Sequence, residues 1–245
     1  MGPFLYFAIL TLIYTVIRYK VTNTQQEMIW GLVYLGLLLV GMYFINLGIT
    51  KTMCGTTQPG TAIMVTAIPW SMVFGVMILM LLAFPGWLSP FSNTIGYLIA
   101  KLGGLSSITD KIFASKAVRA SSSSTGKAAA EALEQIYSDK ALLVNQVTPD
   151  NFESFWSKMS NAKLFNTGAA QYKTALYNLI RMKKLVAEMI WALLSGGLAS
   201  SIATSYIQNT ACVQSAKEMI QRHNQYEDEK SNEKNKRLRV YDVTN

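Results

Sequence analysis

The chain has 245 residues, of which 51% are hydrophobic and 15% charged, with a net charge of +8. Ordinary soluble domains carry about 25% charged residues, so this balance, with a mean hydropathy of +0.23 despite a polar C-terminal stretch, points to a membrane protein. Whole-chain disorder is excluded by the apolar content, and a disulfide-stapled miniprotein by there being only two cysteines. One histidine, His223, leaves little for metal or acid–base chemistry, so no catalytic residue, cofactor or metal site is expected.

The absence of charge carries the strongest signal. Uncharged runs cover residues 2–17, 28–50, 52–100 and 189–216. A bilayer core of about 30 Å needs roughly 20 apolar residues in a helix. Residues 3–19 form a short first candidate, which ends in Arg18, Tyr19 and Lys20. Its positive charge follows the apolar stretch instead of preceding it, so it reads as a retained anchor whose basic end snorkels to the headgroups, not as a signal peptide. Residues 28–50 meet the length requirement without help.

Pro59-Gly60 and Pro85-Gly86 punctuate the long third run and leave residues 61–84 as a crossing. Pro69 lies inside it and should kink the helix, freeing the Val65 carbonyl for the Thr66 hydroxyl or a neighbouring helix. Residues 185–207 are the fourth candidate. There Ser195, Ala199 and Ala203, and Gly196, Ser200 and Thr204, recur four apart, a spacing that lets helix backbones approach closely in lipid. The competing reading is an amphipathic surface helix.

Four crossings put residues 85–184 on one side, with twelve Lys/Arg against six Asp/Glu, and the tail from residue 208 on the other, with seven against six. The Lys/Arg bias points the first side to the cytosol. The same topology brings Cys54 and Cys212 to one face, where they form either a disulfide or two unpaired thiols. Three crossings instead of four would set them on opposite sides.

Residues 85–104 read as an interfacial elbow, with Trp87, Phe91 and Tyr97 suited to the headgroup layer and a short helix over 95–102. Together with the three crossings at 3–19, 28–50 and 61–84, the elbow falls within a membrane module of residues 1–110. Residues 111–184 form a basic helical soluble segment. Within it, 120–125 is a serine-rich link, and 127–144 has helical periodicity. Ser121 and Gly126-Lys127-Ala128 only superficially echo a phosphate loop: the first glycine is missing, and alanine stands where a magnesium-binding hydroxyl is needed.

Thr148-Pro149 is a helix-start signal, placing Phe152, Phe155, Trp156 and Met159 on one stripe as candidate partner contacts. From Ala169 a helical pattern runs straight into the last crossing as a stalk. Residues 208–245 form a polar tail, in which 221–239 mix charges of both signs and should be disordered alone. Its candidate anchors for a partner are Tyr226, Leu238, Val240, Tyr241 and Val243. The expected fold is therefore mainly α: a multi-spanning helical membrane protein of three to four transmembrane helices, with an amphipathic helical soluble segment and a polar tail.

Thr66-Ala67-Ile68-Pro69-Trp70, Phe74-Gly75 and the run from Phe84-Pro85-Gly86-Trp87 to Asn93-Thr94 resemble a stretch of membrane proteins from large icosahedral DNA viruses of the chlorella-virus type. The resemblance covers residues 46–104. It implies a minor capsid protein that spans the viral inner membrane, ties it to the shell and bridges neighbouring capsid proteins. Its partners would be the lipid bilayer and capsid proteins in a symmetric assembly. Its location would be the virion and, during assembly, host internal membranes.

A structural anchor is thus the leading expectation, and a small membrane channel or assembly factor the alternative. For a channel, Glu188, Asn46 and Pro69 are the only polar or kinked features in the spans. An enzyme is not expected, since no nucleophile sits beside a plausible base. Nucleic acid is not an expected partner either: a pI near 9.4 permits it, but a basic segment beside a membrane is equally explained by anionic headgroups.

Overall fold

The computed structural model describes residues 2–21, 23–113, 143–162, 164–210, 212 and 216–239. The expected 127–144 helix, the serine-rich link and Tyr241 lie wholly or largely outside these residues. The described chain is helical, without strands apart from one isolated antiparallel bridge between Phe113 and Phe165. Three helical stretches are long and apolar enough to cross a membrane: Gln25–Cys54, Pro59–Ala83 and Ala169–Asn209.

Helix α1 (Pro3–Lys20) starts with proline at its first position, where the absent N–H has no intrahelical role. Helix α2 (Thr24–Cys54) is capped by the Asn23 side chain, which accepts from the Gln25 N–H, and ends at Gly55 with φ +70°. The third span is broken where Pro69 predicts. Helix α3 (Pro59–Pro69) passes through a π-turn (Trp70–Phe74) into α4 (Gly75–Ala83). The Thr66 hydroxyl does not serve the Val65 carbonyl. It donates to Ala62 O at 2.8 Å and accepts from Asn46 Nδ2 at 2.9 Å, an interhelical bond deep in the span.

The elbow winds through a tight 3₁₀ turn (Pro85–Leu88) and then a wider π-turn (Ser92–Gly96) into α5 (Tyr97–Leu102) and, after Gly104 at φ +98°, α6 (Leu105–Ile112). Helix α7 is Phe152–Asn161, starting three residues later than Pro149 suggests. Thr148 and Asn151 instead form a reciprocal turn, in which the Thr148 N–H donates to Asn151 Oδ1 at 2.8 Å. Helix α8 (Lys173–Asn209) is one unbroken rod of 37 residues, about 55 Å long. It enters the membrane directly from the soluble cap. The tail, expected to be disordered, contains α9 (Ala216–Arg239). It is rich in Glu, Lys, Gln and Arg, whose helix propensity needs no apolar face.

Two cores result. In the membrane, Phe7, Leu38, Met42, Trp70, Phe74 and Ala199 pack together, with the Phe7 ring 5.1 Å from Trp70 and 6.1 Å from Phe74. Outside it, α5, α6, α7 and the start of α8 enclose Ile112, Phe113, Phe152, Leu176 and Ile180. Asn166 stitches this cap, its Nδ2 donating to the carbonyls of Lys111 and Phe113 at 3.1 and 3.2 Å. Large apolar side chains on the spans face outwards, Leu32, Leu79 and Leu82 being 65%, 65% and 74% exposed. A water-soluble surface would not carry them; acyl chains solvate them.

Helix α1 is the short member. Its 18 residues span about 27 Å and lie against the half of the bundle nearest Glu27 and Glu188, where the Tyr6 hydroxyl donates to Leu37 O at 2.6 Å. The far half is a three-helix contact of Val65, Ala203, Ile207 and Ile49. The helix that falls short precedes both cysteines, so three full-length spans still bring Cys54 and Cys212 to one end.

Candidate functional site

The end of the bundle nearest the cap is built around an ionic cluster. Arg18 closes α1, Glu27 opens α2 and Glu188 stands where α8 meets the membrane. Arg18 donates to Glu27 Oε1 through Nε at 3.0 Å and pairs with Glu188 through a second nitrogen. Arg181, two turns before Glu188, lies 3.9 Å from Glu27 and donates to the carbonyls of Arg18 and Val21 at the end of α1. Both Arg18 and Glu188 are largely withdrawn from solvent, with about a quarter of each side chain exposed. Sequence reasoning treats Arg18 as a snorkelling residue and Glu188 as an isolated charge. The available signal is that all three stand at the margins of uncharged runs that the topology brings to the same level.

Beside this cluster, α2 and α4 diverge. Helix α2 packs against α3, but after the π-turn α4 draws away from α2 and touches α8 only slightly before it enters the elbow. The gap is a cleft of about 1080 Å³, walled by residues such as Leu35, Met77, Leu81 and Met189. Its floor is closed by Phe74 and by Tyr34, which stacks on Tyr14 at 4.3 Å and shares a 3.0 Å hydrogen bond with the Thr11 hydroxyl. At its mouth stand Arg18, Glu27, Glu188, Lys184 and Asp150, the last two paired at 3.2 Å. Lys183, buried next to this mouth, donates to Asn93 Oδ1 and the Val144 carbonyl, each at 3.3 Å, and to the Asn145 carbonyl. It thereby pins the elbow and the turn before α7 onto α8.

The interfacial residues form one cluster. Trp87 stacks on Trp191 at 6.1 Å, Phe91 meets the same ring edge-on at 5.2 Å, and Trp191 Nε1 donates to Trp87 O at 2.9 Å. The amphipathic rings match a headgroup level about one turn inside Glu188. Tyr97 sits further out, packed on the cap core beneath Lys101.

The stripe on α7 faces inwards. Phe152 is buried, and Phe155, Trp156 and Met159 pack on the same core, with Trp156 4.4 Å from Phe165 and Phe152 5.3 Å from Tyr177. These residues meet their own chain because the start of α8 folds back beside α7, supplying the apolar face that the sequence left unassigned. Tyr226, on α9, is 60% exposed, with Lys230 over its ring at 5.8 Å. At the far end of the bundle, Cys54 and Cys212 are joined by a disulfide with Cα atoms 5.5 Å apart.

No protein family, characterised protein or solved structure matches the chain.

Proposed function

We propose that the chain is a structural membrane anchor that ties a protein layer to a bilayer. On the resemblance carried by residues 46–104, that layer is a viral capsid shell surrounding an inner membrane. The observation that supports this reading best is α8, a single helix shared by the membrane core and the cap. Leu176 and Ile180 belong to the soluble core and Ala199 to the membrane core, so a load on the cap passes to the bundle without a hinge. Gly96 reinforces the joint: a Cβ there would lie 2.6 Å from the Lys183 carbonyl oxygen, so only glycine lets the elbow approach α8 this closely. Weak contacts by many copies in a symmetric shell would suffice for attachment, because avidity multiplies them.

A transport role has less support. Glu188 is paired with Arg18, Asn46 with Thr66, and the cleft is blind above the Phe7–Trp70–Phe74 packing. Particles containing the chain, stripped of lipid with a non-ionic detergent, test the proposal. The chain is expected to remain with the shell at fixed stoichiometry and to cross-link to shell proteins. Its complete release with the lipid fraction would overturn the reading.

A further inference from the structure

We infer that the first three turns of α9 lie on the bilayer surface at the end of the bundle opposite the cap, with Met219, Ile220, His223 and Tyr226 set into the headgroup layer. All the described side chains of this helix are exposed, Met219, Ile220 and Tyr226 at 57%, 61% and 60%, so nothing in the described chain covers them. Helical spacing puts the four residues on one side, at i, i+1, i+4 and i+7, with Gln221 and Gln225 on the other. Met219 and Ile220 are the only aliphatic residues between positions 219 and 234. His223 and Tyr226 add rings with an apolar body and a polar tip. A short apolar stripe backed by a polar face is the pattern of a helix lying in the plane of the membrane interface.

The tether decides what the stripe meets. Asn209 ends α8, and three residues later Cys212 is crosslinked to Cys54, the last residue of α2. Two membrane spans therefore end beside the point from which α9 departs. Ala216, where the helix begins, is four residues beyond Cys212, a reach of at most about 14 Å. The headgroup layer extends about 5–8 Å beyond the hydrocarbon, so the first turn is held within reach of it. The aliphatic pair stands in this turn and the next, nearest the bilayer. Beyond Tyr226 the same side carries Lys230, whose ammonium lies 5.8 Å from the Tyr226 ring, and Lys234. Glu227 and Glu233 stand at its margins, and Asp228 and Glu229 further round. Lysines there suit lipid phosphates, but they interrupt the apolar seam that pairing with a second α9 would need over three or four heptads.

The test introduces single cysteines, one at a time, at positions 219 to 226 of the full chain with the Cys54–Cys212 crosslink intact, and labels each with a nitroxide. The protein is held as single copies in phosphatidylcholine nanodiscs. Power saturation then compares collisions with oxygen, which concentrates in the bilayer, and with a water-soluble nickel chelate. The oxygen-to-nickel ratio should follow the 3.6-residue helical period, highest at 219, 220, 223 and 226 and lowest at 221 and 225. Met219→Gln with Ile220→Gln, changes at exposed side chains outside both cores, should abolish the pattern, the ratio at 226 falling to that at 225. High nickel exposure on both sides of α9 would place the helix in water and overturn the proposal. Low exposure of the stripe to both reagents would bury it against protein and overturn it equally. So would a pattern unchanged in a monodisperse, disulfide-bonded double variant.

Discussion

Gly196→Ala probes a close helix contact in the membrane core. A Cβ built on Gly196 would lie 2.8 Å from Cδ1 of Phe7 and closer still to Cε1 and Cζ. Carbon atoms pack at about 3.5–4.0 Å, so a single methyl overlaps the ring by roughly 1 Å or more. The ring cannot yield, because Phe7 is wholly buried between Trp70 and Phe74. Helices α1 and α8 must therefore separate, at about 1–3 kcal/mol for an overpacked core, a 5- to 150-fold fall in the folded-to-unfolded ratio. Phe7→Ala leaves a cavity instead and should cost about 3–5 kcal/mol. In the double variant the new methyl enters the space left by the ring. The two losses should then fail to add, with a coupling of at least about 1 kcal/mol. Unfolding in mixed micelles of increasing denaturing-detergent fraction, followed by tryptophan fluorescence, measures all three variants. Strict additivity would show that Phe7 and Gly196 do not meet as described.

Arg18→Ala should destabilise by roughly 2–4 kcal/mol, because it strands Glu188 at the edge of the membrane and leaves Glu27 only the more distant Arg181; Glu188→Gln in the same chain should restore part of the loss in the same micelle titration. Lys183→Met removes the donor for two backbone carbonyls and Asn93 Oδ1, and faster proteolysis around residues 143–150 is expected in a limited digest. Reduction or Cys54→Ser should slow migration of the denatured chain on a gel and expose Cys212 to a thiol reagent, since opening the crosslink releases a 158-residue loop. Identical migration with and without reductant would contradict the crosslink. In plain buffer without lipid or detergent the chain should aggregate, and a monodisperse peak in sizing chromatography would contradict lipid solvation of Leu32, Leu79 and Leu82.

The spans were legible because ionic side chains are largely excluded from hydrocarbon: the candidates 28–50 and 185–207 fall inside the observed helices, and 61–84 overruns its helix by one residue. The kink at Pro69 was legible for an equally local reason: proline cannot continue the hydrogen-bond ladder. Its direction was not, and direction is what opens the cleft, since it depends on which neighbours α4 meets after the π-turn. The small-residue rows of α8 announced a close helix contact, but Phe7 as the wedge opposite Gly196 is a matter of register between segments almost two hundred residues apart. The stripe on α7 was visible as a stripe, and its partner was hidden because the apolar face of α8 continues without a break into a transmembrane pattern. In the tail, lack of apolar periodicity argued for disorder, while local propensity alone favours the helix that forms.

Two physically unrelated signals agree on orientation. Twelve Lys/Arg against six Asp/Glu between residues 85 and 184 favour the cytosol through the charge bias of membrane insertion. The Cys54–Cys212 bond, at the opposite end of the bundle, belongs in an oxidising compartment, because cytosolic thiols are kept reduced. The signals share no residue, and they would have contradicted each other had the spans between the cap and the cysteines' end been even in number. With α2, the α3–α4 span and α8 each crossing once, these two signals together predict the cap on the cytosolic side and α9 on the other. An impermeant reductant added from the cytosolic side should then leave the crosslink intact, whereas the same reagent applied to the opposite face should open it. Opening from the cytosolic side would invert the whole arrangement and, with it, the side on which the cap meets a protein layer.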